Sequence, residues 1–410
     1  MRATKDSGFE WIGIIPSEWG LSRIGQVYRL RNMKVSDTDY PPLSVTNKGI
    51  VPQLDTAAKT NAHDDRKLVK KGDFAINSRS DRRGSCGISD YDGSVSLINT
   101  ILAPLNEMNP GYYDWLFHTV QFGDEFYKFG HGIVDDLWTT GWQEMKKITI
   151  PTPPLSEQKR IADFLDAKCA EIDALTADIQ TQIDTLEQYK RSVITETVTE
   201  GLNPDAEMKD SGIEWIGNMP SHWEVIRGKY ILRYMQKPVR EDDGVITCFR
   251  DGEVTLRSNR REDGFTMSDK EIGYQGIDVG DLVVHGMDGF AGSIGISDSR
   301  GKASPVLNVL DTDQCKRYIM YYLRSMAYSD VFLALATGIR VRSCDLRWNK
   351  LAELSYPVPP LDEQNAIVKH IDSVLSKADA VITDKKAQLV TLDEYKKSLI
   401  FEYVTGKKEV

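Results

Sequence analysis

Cysteine is scarce in this chain: five residues in 410 (Cys86, Cys169, Cys248, Cys315 and Cys344), odd in number and with no C-x-x-C among them. That spacing excludes a disulfide framework and a zinc ribbon and reads as reduced cytosolic thiols. The six histidines form no H-E-x-x-H or other paired metal spacing. No apolar run approaches the roughly 18 residues of a membrane span, and the opening Met-Arg-Ala-Thr-Lys lacks the apolar core of a secretion signal. The expectation is a soluble, cytoplasmic protein with no membrane contact. Catalytic signatures are missing as well. No G-x-x-x-x-G-K-[ST] occurs, because Gly301-Lys302 lacks the upstream glycine, and this excludes a phosphate-binding P-loop. Without a glycine fingerprint after a strand, or an Asn/Asp-Pro-Pro-aromatic run, the chain is not expected to be a methyltransferase. Asp205 and Glu207 are too close in sequence to reach one metal ion from adjacent strands. Positive charge is in deficit too, 51 Lys plus Arg against 61 Asp plus Glu.

What the chain does contain is a repeat of itself. Lys5-Asp-Ser-Gly-Phe-Glu-Trp-Ile-Gly13 returns as Lys209-Asp-Ser-Gly-Ile-Glu-Trp-Ile-Gly217, and both continue to Pro-Ser-x-Trp at Pro16 and Pro220. Pro153-Pro-Leu-Ser-Glu-Gln158 returns as Pro359-Pro-Leu-Asp-Glu-Gln364, and from Pro151 to Thr199 the register holds without a gap. Between these anchors only a skeleton persists: Gly72-Asp73 with Gly280-Asp281, and Gly84-Ser-x-Gly-Ile-Ser-Asp90 with its match from Gly292. A shared scaffold carrying different surface residues follows. The organisation is a first domain at 1–150, a long helix within 151–203, a second domain at 204–356 and a second long helix within 357–410.

Each long segment opens with prolines and a candidate N-cap, Ser156 or Asp362. Heptads read from Ile161 place Lys168, Leu175, Gln182 and Tyr189 in one column and Leu165, Ile172, Ile179, Leu186 and Val193 in the other. Eight of the ten, with Ile161, are apolar or aromatic. The same frame in the second copy selects Ile367, Val374, Val381, Gln388 and Tyr395, then Ile371, Ala378, Lys385, Leu392 and Leu399. About 45 residues at 1.5 Å each make a rod of roughly 68 Å, longer than one such domain can cover, so the copies are expected to pair. The pairing residues expected are Leu175, Ile179, Gln182, Leu186, Tyr189, Val381, Gln388, Leu392 and Tyr395. An antiparallel coiled coil with pseudo-two-fold symmetry is the expected arrangement, an α+β fold with two α/β domains about the helix pair.

Charge separates the parts. From 155 to 200 there are ten acidic and five basic residues, and from 361 to 406 eight and six, so the helices hold most of the net charge of -10. The domains carry the basic stretches. In the first, Arg23, Arg29, Arg31 and Lys34 stand without an acid between them. A denser run from Arg66 to Arg83 ends in Asn77-Ser78-Arg79-Ser80-Asp81-Arg82-Arg83-Gly84. Guanidinium, hydroxyl and amide groups on such a loop suit base edges and phosphates. The second domain offers Arg250, Arg257, Arg260, Arg261, Arg340, Arg342 and Arg347. The segment matching Arg340 and Arg342 in the first domain, from Gly132 to Trp142, has no arginine. The tryptophans of the repeat motifs are expected in cores and domain-to-helix packing.

The Trp-Ile-Gly-x-x-Pro-Ser-x-Trp openings at Trp11 and Trp215, and the Pro-Pro-Leu-x-Glu-Gln helix starts at Pro153 and Pro359, make the whole chain resemble the specificity (S) subunits of type I restriction-modification enzymes. The resemblance implies two target recognition domains, each reading one half of a bipartite, asymmetric site on double-stranded DNA. It implies helices that set the spacing and dock two methyltransferase (modification) subunits, with restriction (translocase) subunits joining the assembly. S-adenosylmethionine, ATP and magnesium then belong to partners, and this chain holds no cofactor, no metal and no catalytic residue. Two other readings stay open: a stand-alone DNA-binding regulator, and a scaffold whose domains bind protein.

Overall fold

The computed structural model describes residues 2–53, 63–79, 84–132, 138–260, 272–335 and 346–410. The chain divides into two units, one of Met1–Ile179 with Lys386–Val410 and one of Gln180–Lys385. Each long helix, Leu155–Glu200 and Leu361–Val404, therefore contributes one half to each unit.

In the first unit a four-stranded antiparallel sheet runs in the order Cys86–Ile88, Phe74–Asn77, Asn99–Pro104, Tyr28–Leu30. All four residues of the second strand are buried, as a central strand covered on both faces requires. The helix Pro110–Phe117 lays Tyr112, Tyr113, Leu116 and Phe117 on this core, with the rings of Phe74 and Phe117 4.4 Å apart. Asn109 caps it, its side chain accepting from Tyr112 N, and Pro110 opens its first turn. The second unit repeats the order with Ile294–Ile296, Leu282–His285, Leu307–Thr312 and Leu232–Met235, and the helix Lys316–Tyr328 covers the core.

The repeated motifs turn out to build joints. Each long helix starts at Leu155 or Leu361, one residue before the expected cap, so Ser156 and Asp362 lie in the first turn; the Pro154 carbonyl accepts from Glu157 N and Gln158 N. Gln158 is buried and donates to Pro153 O (2.8 Å), while its Oε1 accepts from Asn109 N (2.9 Å). Gln364 repeats both bonds, to Pro359 O (2.8 Å) and from Cys315 N (2.9 Å). The glutamine thus ties the helix start to the head of the domain's own helix.

The far end of the opposite helix is held by the same domain. Tyr112 donates to Val404 O (2.8 Å) in the first unit, and Tyr318 to Val198 O (3.1 Å) in the second, satisfying carbonyls that a helix end leaves open. Gly406 (φ 69°) and Gly201 (φ 82°) end the helices in the left-handed region, where a side chain is strained. A Cβ at Gly406 would stand 2.9 Å from the Trp19 ring, and one at Gly201 3.2 Å from the Trp223 ring. Both tryptophans are buried, which explains why the openings are written twice.

Within each unit the helix halves run antiparallel. In the first unit Phe164 stacks against Tyr403, ring centroids 4.4 Å apart, and Asp173 pairs with Lys396 at 2.6 Å. In the second, Lys385 donates to Gln182, and Lys190 pairs with Asp379 at 2.6 Å. The covered stripe is Leu165, Cys169, Ile172, Thr176, Ile179, Ile183, Leu186, Lys190 and Val193, spaced alternately by four and three residues. Its counterpart is Ile371, Leu375, Ala378, Ile382, Lys385, Leu389, Leu392, Lys396 and Leu399, in the same phase. One heptad column sits where the sequence placed it and the other is displaced by one residue. Ile179, Leu186 and Leu392 lie in the stripe; Leu175, Tyr189, Val381 and Tyr395 are about half exposed, and Gln182 and Gln388 are exposed too. The frame that wins contains Lys190 and Lys396, which read as solvent positions in sequence. Burial pulls the Lys190 ammonium down, but Asp379 and Glu187 outweigh it and hold it above its ordinary range.

Candidate nucleic-acid interface

Two hairpin systems meet at the tip of each domain. In the first, the hairpin Leu43–Thr46/Gly49–Pro52 turns through Asn47 and Lys48, both exposed. Its Gly49, at φ 98°, touches the strand that follows the 77–84 loop: a Cβ at Gly87 would lie 2.8 Å from Gly49 Cα. In the second, Ile246–Cys248/Val254–Leu256 turns through Phe249–Gly252, and a Cβ at Gly295 would lie 1.9 Å from Gly252 O. Gly292, at φ 95°, comes as close to the Arg250 carbonyl, 2.7 Å from a built Cβ. These backbone contacts need glycine and fix the hairpin tip beside the sheet loop.

The repeat register makes 285–292 the second domain's counterpart of 77–84. Asn77 is buried, and its Oδ1 accepts from Arg79 N (3.1 Å). His285 does the same with Nδ1, accepting from Met287 N (3.2 Å) and Asp288 N (2.9 Å), which leaves its proton on Nε2. Burial lowers the His285 pKa, with Asp288 opposing, so the ring is neutral at physiological pH. Asn77 and His285 thus shape their loops. Ser78 is buried and shares a hydrogen bond with Thr100 (2.9 Å) while its carbonyl accepts from Thr140 N. Arg79 and Met287 are the exposed members. Ser80, Arg82, Arg83, Arg261, Arg340 and Arg342 lie outside the described residues.

The other expected cations divide by partner. Arg260 packs over the Phe249 ring at 4.1 Å and pairs with Asp251 (2.8 Å) and Glu253 (2.9 Å). Arg257 donates to Thr247 (3.2 Å), and exposed Arg347 precedes the short helix Trp348–Glu353. Arg250 is two-thirds exposed and meets Asp288 at 3.1 Å. In the basic stretches of the first domain, Arg31 is bound to buried Asp73 in a two-pronged pair, Arg66 is buried and donates to Ser94, and Lys67 donates to Asn99 O. Lys237 and Asp281 repeat the Arg31–Asp73 pair in the second domain. These are scaffold bonds, which a count of basic residues cannot distinguish from binding groups.

A cleft of about 770 Å³ in the second unit carries Arg250 at one wall and Arg191, Arg324 and Tyr328 at others. The guanidinium carbons of Arg191 and Arg324 stand 5.3 and 5.7 Å from the Tyr328 ring centroid, and Glu187, Asp251, Asp330 and Asp379 line the same cleft. Among the described residues, no group of three or more His, Cys, Asp or Glu is placed to hold a metal ion, and no helix is long and apolar enough to cross a membrane.

Two copies of one α/β domain, each feeding a long helix whose far end is clasped by the other copy's domain, define a duplicated two-domain, two-helix scaffold as the class. Residues 16–185 match the family described as the Type I restriction modification DNA specificity domain. The putative type I restriction enzyme MjaX specificity subunit of Methanocaldococcus jannaschii is 26% identical over 281 residues, covering 65% of this chain and 61% of that protein. The type I restriction enzyme MjaVIII specificity subunit of the same organism is 24% identical over 341 residues, covering 78% and 76%. The chain thus spans between about three fifths and three quarters of these relatives. Among solved structures, a chain from work on complex assembly and conformational transition of the type I R-M system has a TM-score of 0.69 at 15% identity, over 96% of this chain and 99% of that one. The HsdS subunit from Thermoanaerobacter tengcongensis has a TM-score of 0.52 at 15% identity, over 98% and 100%. The chain is similar to the specificity subunits of type I restriction-modification systems, the family its repeated motifs resemble.

Proposed function

We propose that this chain is the sequence-specificity subunit of a type I restriction-modification complex, in which each domain reads one half of a bipartite, asymmetric site on double-stranded DNA. The observation that carries the reading is that one scaffold, with the same sheet order and the same helix joints in both copies, carries different side chains at its two hairpin tips. Each correct base contact contributes about 1–3 kcal/mol of discrimination, and two half-sites multiply it. The helix pair sets the gap between half-sites, and with its acidic surface it docks two methyltransferase subunits, which restriction subunits join. The chemistry and its S-adenosylmethionine, ATP and magnesium reside on those partners. Arg79, Arg250, Arg257, Arg347 and, beyond the described residues, Ser80, Arg82, Arg83, Arg261, Arg340 and Arg342 supply base and phosphate contacts. Co-expression with the modification subunit of its own system, followed by single-molecule methylation mapping, is expected to yield a two-part motif with a fixed gap. A complex that assembles and binds its cofactor yet leaves no new methylation would favour the regulator or scaffold reading.

A further inference from the structure

Conserved backbone contacts between loops far apart in sequence call for a reason. The 249–252 turn and the 285–292 loop are pressed together through Gly252, Gly292 and Gly295, and in the first domain the 46–49 turn meets the strand behind the 77–84 loop through Gly49 and Gly87. Such contacts cost backbone entropy and exclude side chains at the glycines. In the second domain they hold the hairpin tip against the 285–292 loop. In the second domain an ion pair spanning these two loops joins Arg250 to Asp288. Exposed pairs of this kind contribute little to stability, so its consequence is orientation. A single carboxylate oxygen, Oδ1, engages Nη2 at 3.1 Å, and the Arg250 side chain is two-thirds exposed. The neighbouring Arg260 is instead held by Phe249, Asp251 and Glu253.

We propose that the second domain reads bases with a two-part head, the 249–252 hairpin tip together with the 285–292 loop, and that Arg250, positioned by Asp288, contacts a guanine edge. A planar fork fixed on one side by a carboxylate presents two parallel donors, matching the O6 and N7 acceptors that guanine displays in the major groove. The hairpin turn of the first domain carries exposed Asn47, whose amide suits the N6 and N7 of adenine. The two half-sites then differ because the tips differ, a two-residue turn with Asn47 and Lys48 in the first domain and a longer turn with Arg250 in the second. This rests on the DNA-reading role proposed above.

The test is selection from a duplex DNA library with randomised half-sites, using the full chain assembled with its modification subunits. In the parent, absence of any enriched motif would count against the DNA-reading role itself. With that motif established, Arg250→Ala is expected to lower a guanine preference by about tenfold at one position of one half-site, and Asp288→Asn to weaken that same position several-fold. Asn47→Ala is expected to relax a position in the other half-site alone. Arg250→Gln serves as a second probe of the same position. Uniformly weaker binding with unchanged preferences would make Arg250 a phosphate contact and overturn the proposal. Loss of all selection, or a change in both halves from one substitution, would overturn it too, since a residue reading one base leaves the rest of the site readable.

Discussion

The joints between domain and helix and the tips of the domains obey opposite rules. At the joints the two copies keep the same residues in the same bonds: Gln158 and Gln364 on proline carbonyls, Tyr112 and Tyr318 on the last turns of the long helices, Trp19 and Trp223 over a left-handed glycine. At the tips the side chains differ: the hairpin turn carries Asn47 and Lys48 in the first domain and Arg250 and Asp251 in the second, and Asn77 stands where the repeat has His285. A joint must fit one geometry, so its side chains are constrained. A tip must fit a partner, and two tips on one scaffold can fit two different partners.

The largest break in this comparison comes from the joints. Trp19→Ala and Trp223→Ala are each expected to cost about 3–5 kcal/mol, read as lowered denaturant midpoints of the purified chain. Similar losses from the two would show that the joints are equivalent; a markedly smaller loss at Trp223 would trace to its indole N–H, which meets no acceptor among the described residues, whereas Trp19 donates to Glu157 at 2.7 Å. Gln158→Ala or Gln364→Ala should cost about 1–3 kcal/mol by leaving a buried amide N–H unbonded.

The helix seam gives a smaller effect with a clear sign. Reversing Lys190 alone to Asp sets it beside Asp379 and Glu187 and should destabilise the fold, and adding Asp379→Lys should recover much of the loss. The coupling expected is up to about 1 kcal/mol, given that Asp379 is more than half exposed. The duplicate pair of Lys396 and Asp173 should behave alike, and no recovery in either unit would contradict the pairing.

The smallest stability effects belong to the tips and to single ionisable groups. Arg250→Ala should change stability by less than about 0.5 kcal/mol in the same unfolding assay. In the second domain Lys237 and Arg300 hold Asp278 down, from 3.8 to about 2. A carboxylate with a lowered pKa stabilises the fold above its unfolded value, and that stability is lost as pH falls through the folded value. Acid unfolding of Asp278→Asn should therefore differ from the parent above about pH 4 and converge with it toward pH 2. Burial pushes the Cys248 thiol up to about 12 and Cys86 higher still, so both should resist alkylation at pH 8 in the folded chain, as mass spectrometry would reveal.

The duplication and the long helices were legible because the joints repeat side chains, and identical side chains survive in sequence. The seam frame was half legible. Leu165, Ile172 and Ile179 serve either phase of a helix with 3.6 residues per turn, and Lys190 and Lys396 looked like solvent positions until their carboxylate partners on the opposite helix came into view. The tips were least legible. Asn77 looked like a binding group and works as a turn cap, and Arg31 and Arg66 looked like a basic surface and anchor the scaffold. Asn47 and Lys48 gave no signal, since only the long-range contact of Gly49 with Gly87 brings their hairpin to the site.

The central claim, one scaffold read twice with different outcomes, is tested most directly by exchanging residues 1–150 for the corresponding domain of another type I specificity subunit and mapping methylation in cells that carry the modification subunit. A motif altered in one half, with the other half and the gap unchanged, is the expected result. A motif that changes in both halves, or in neither while the complex remains active, would contradict the account.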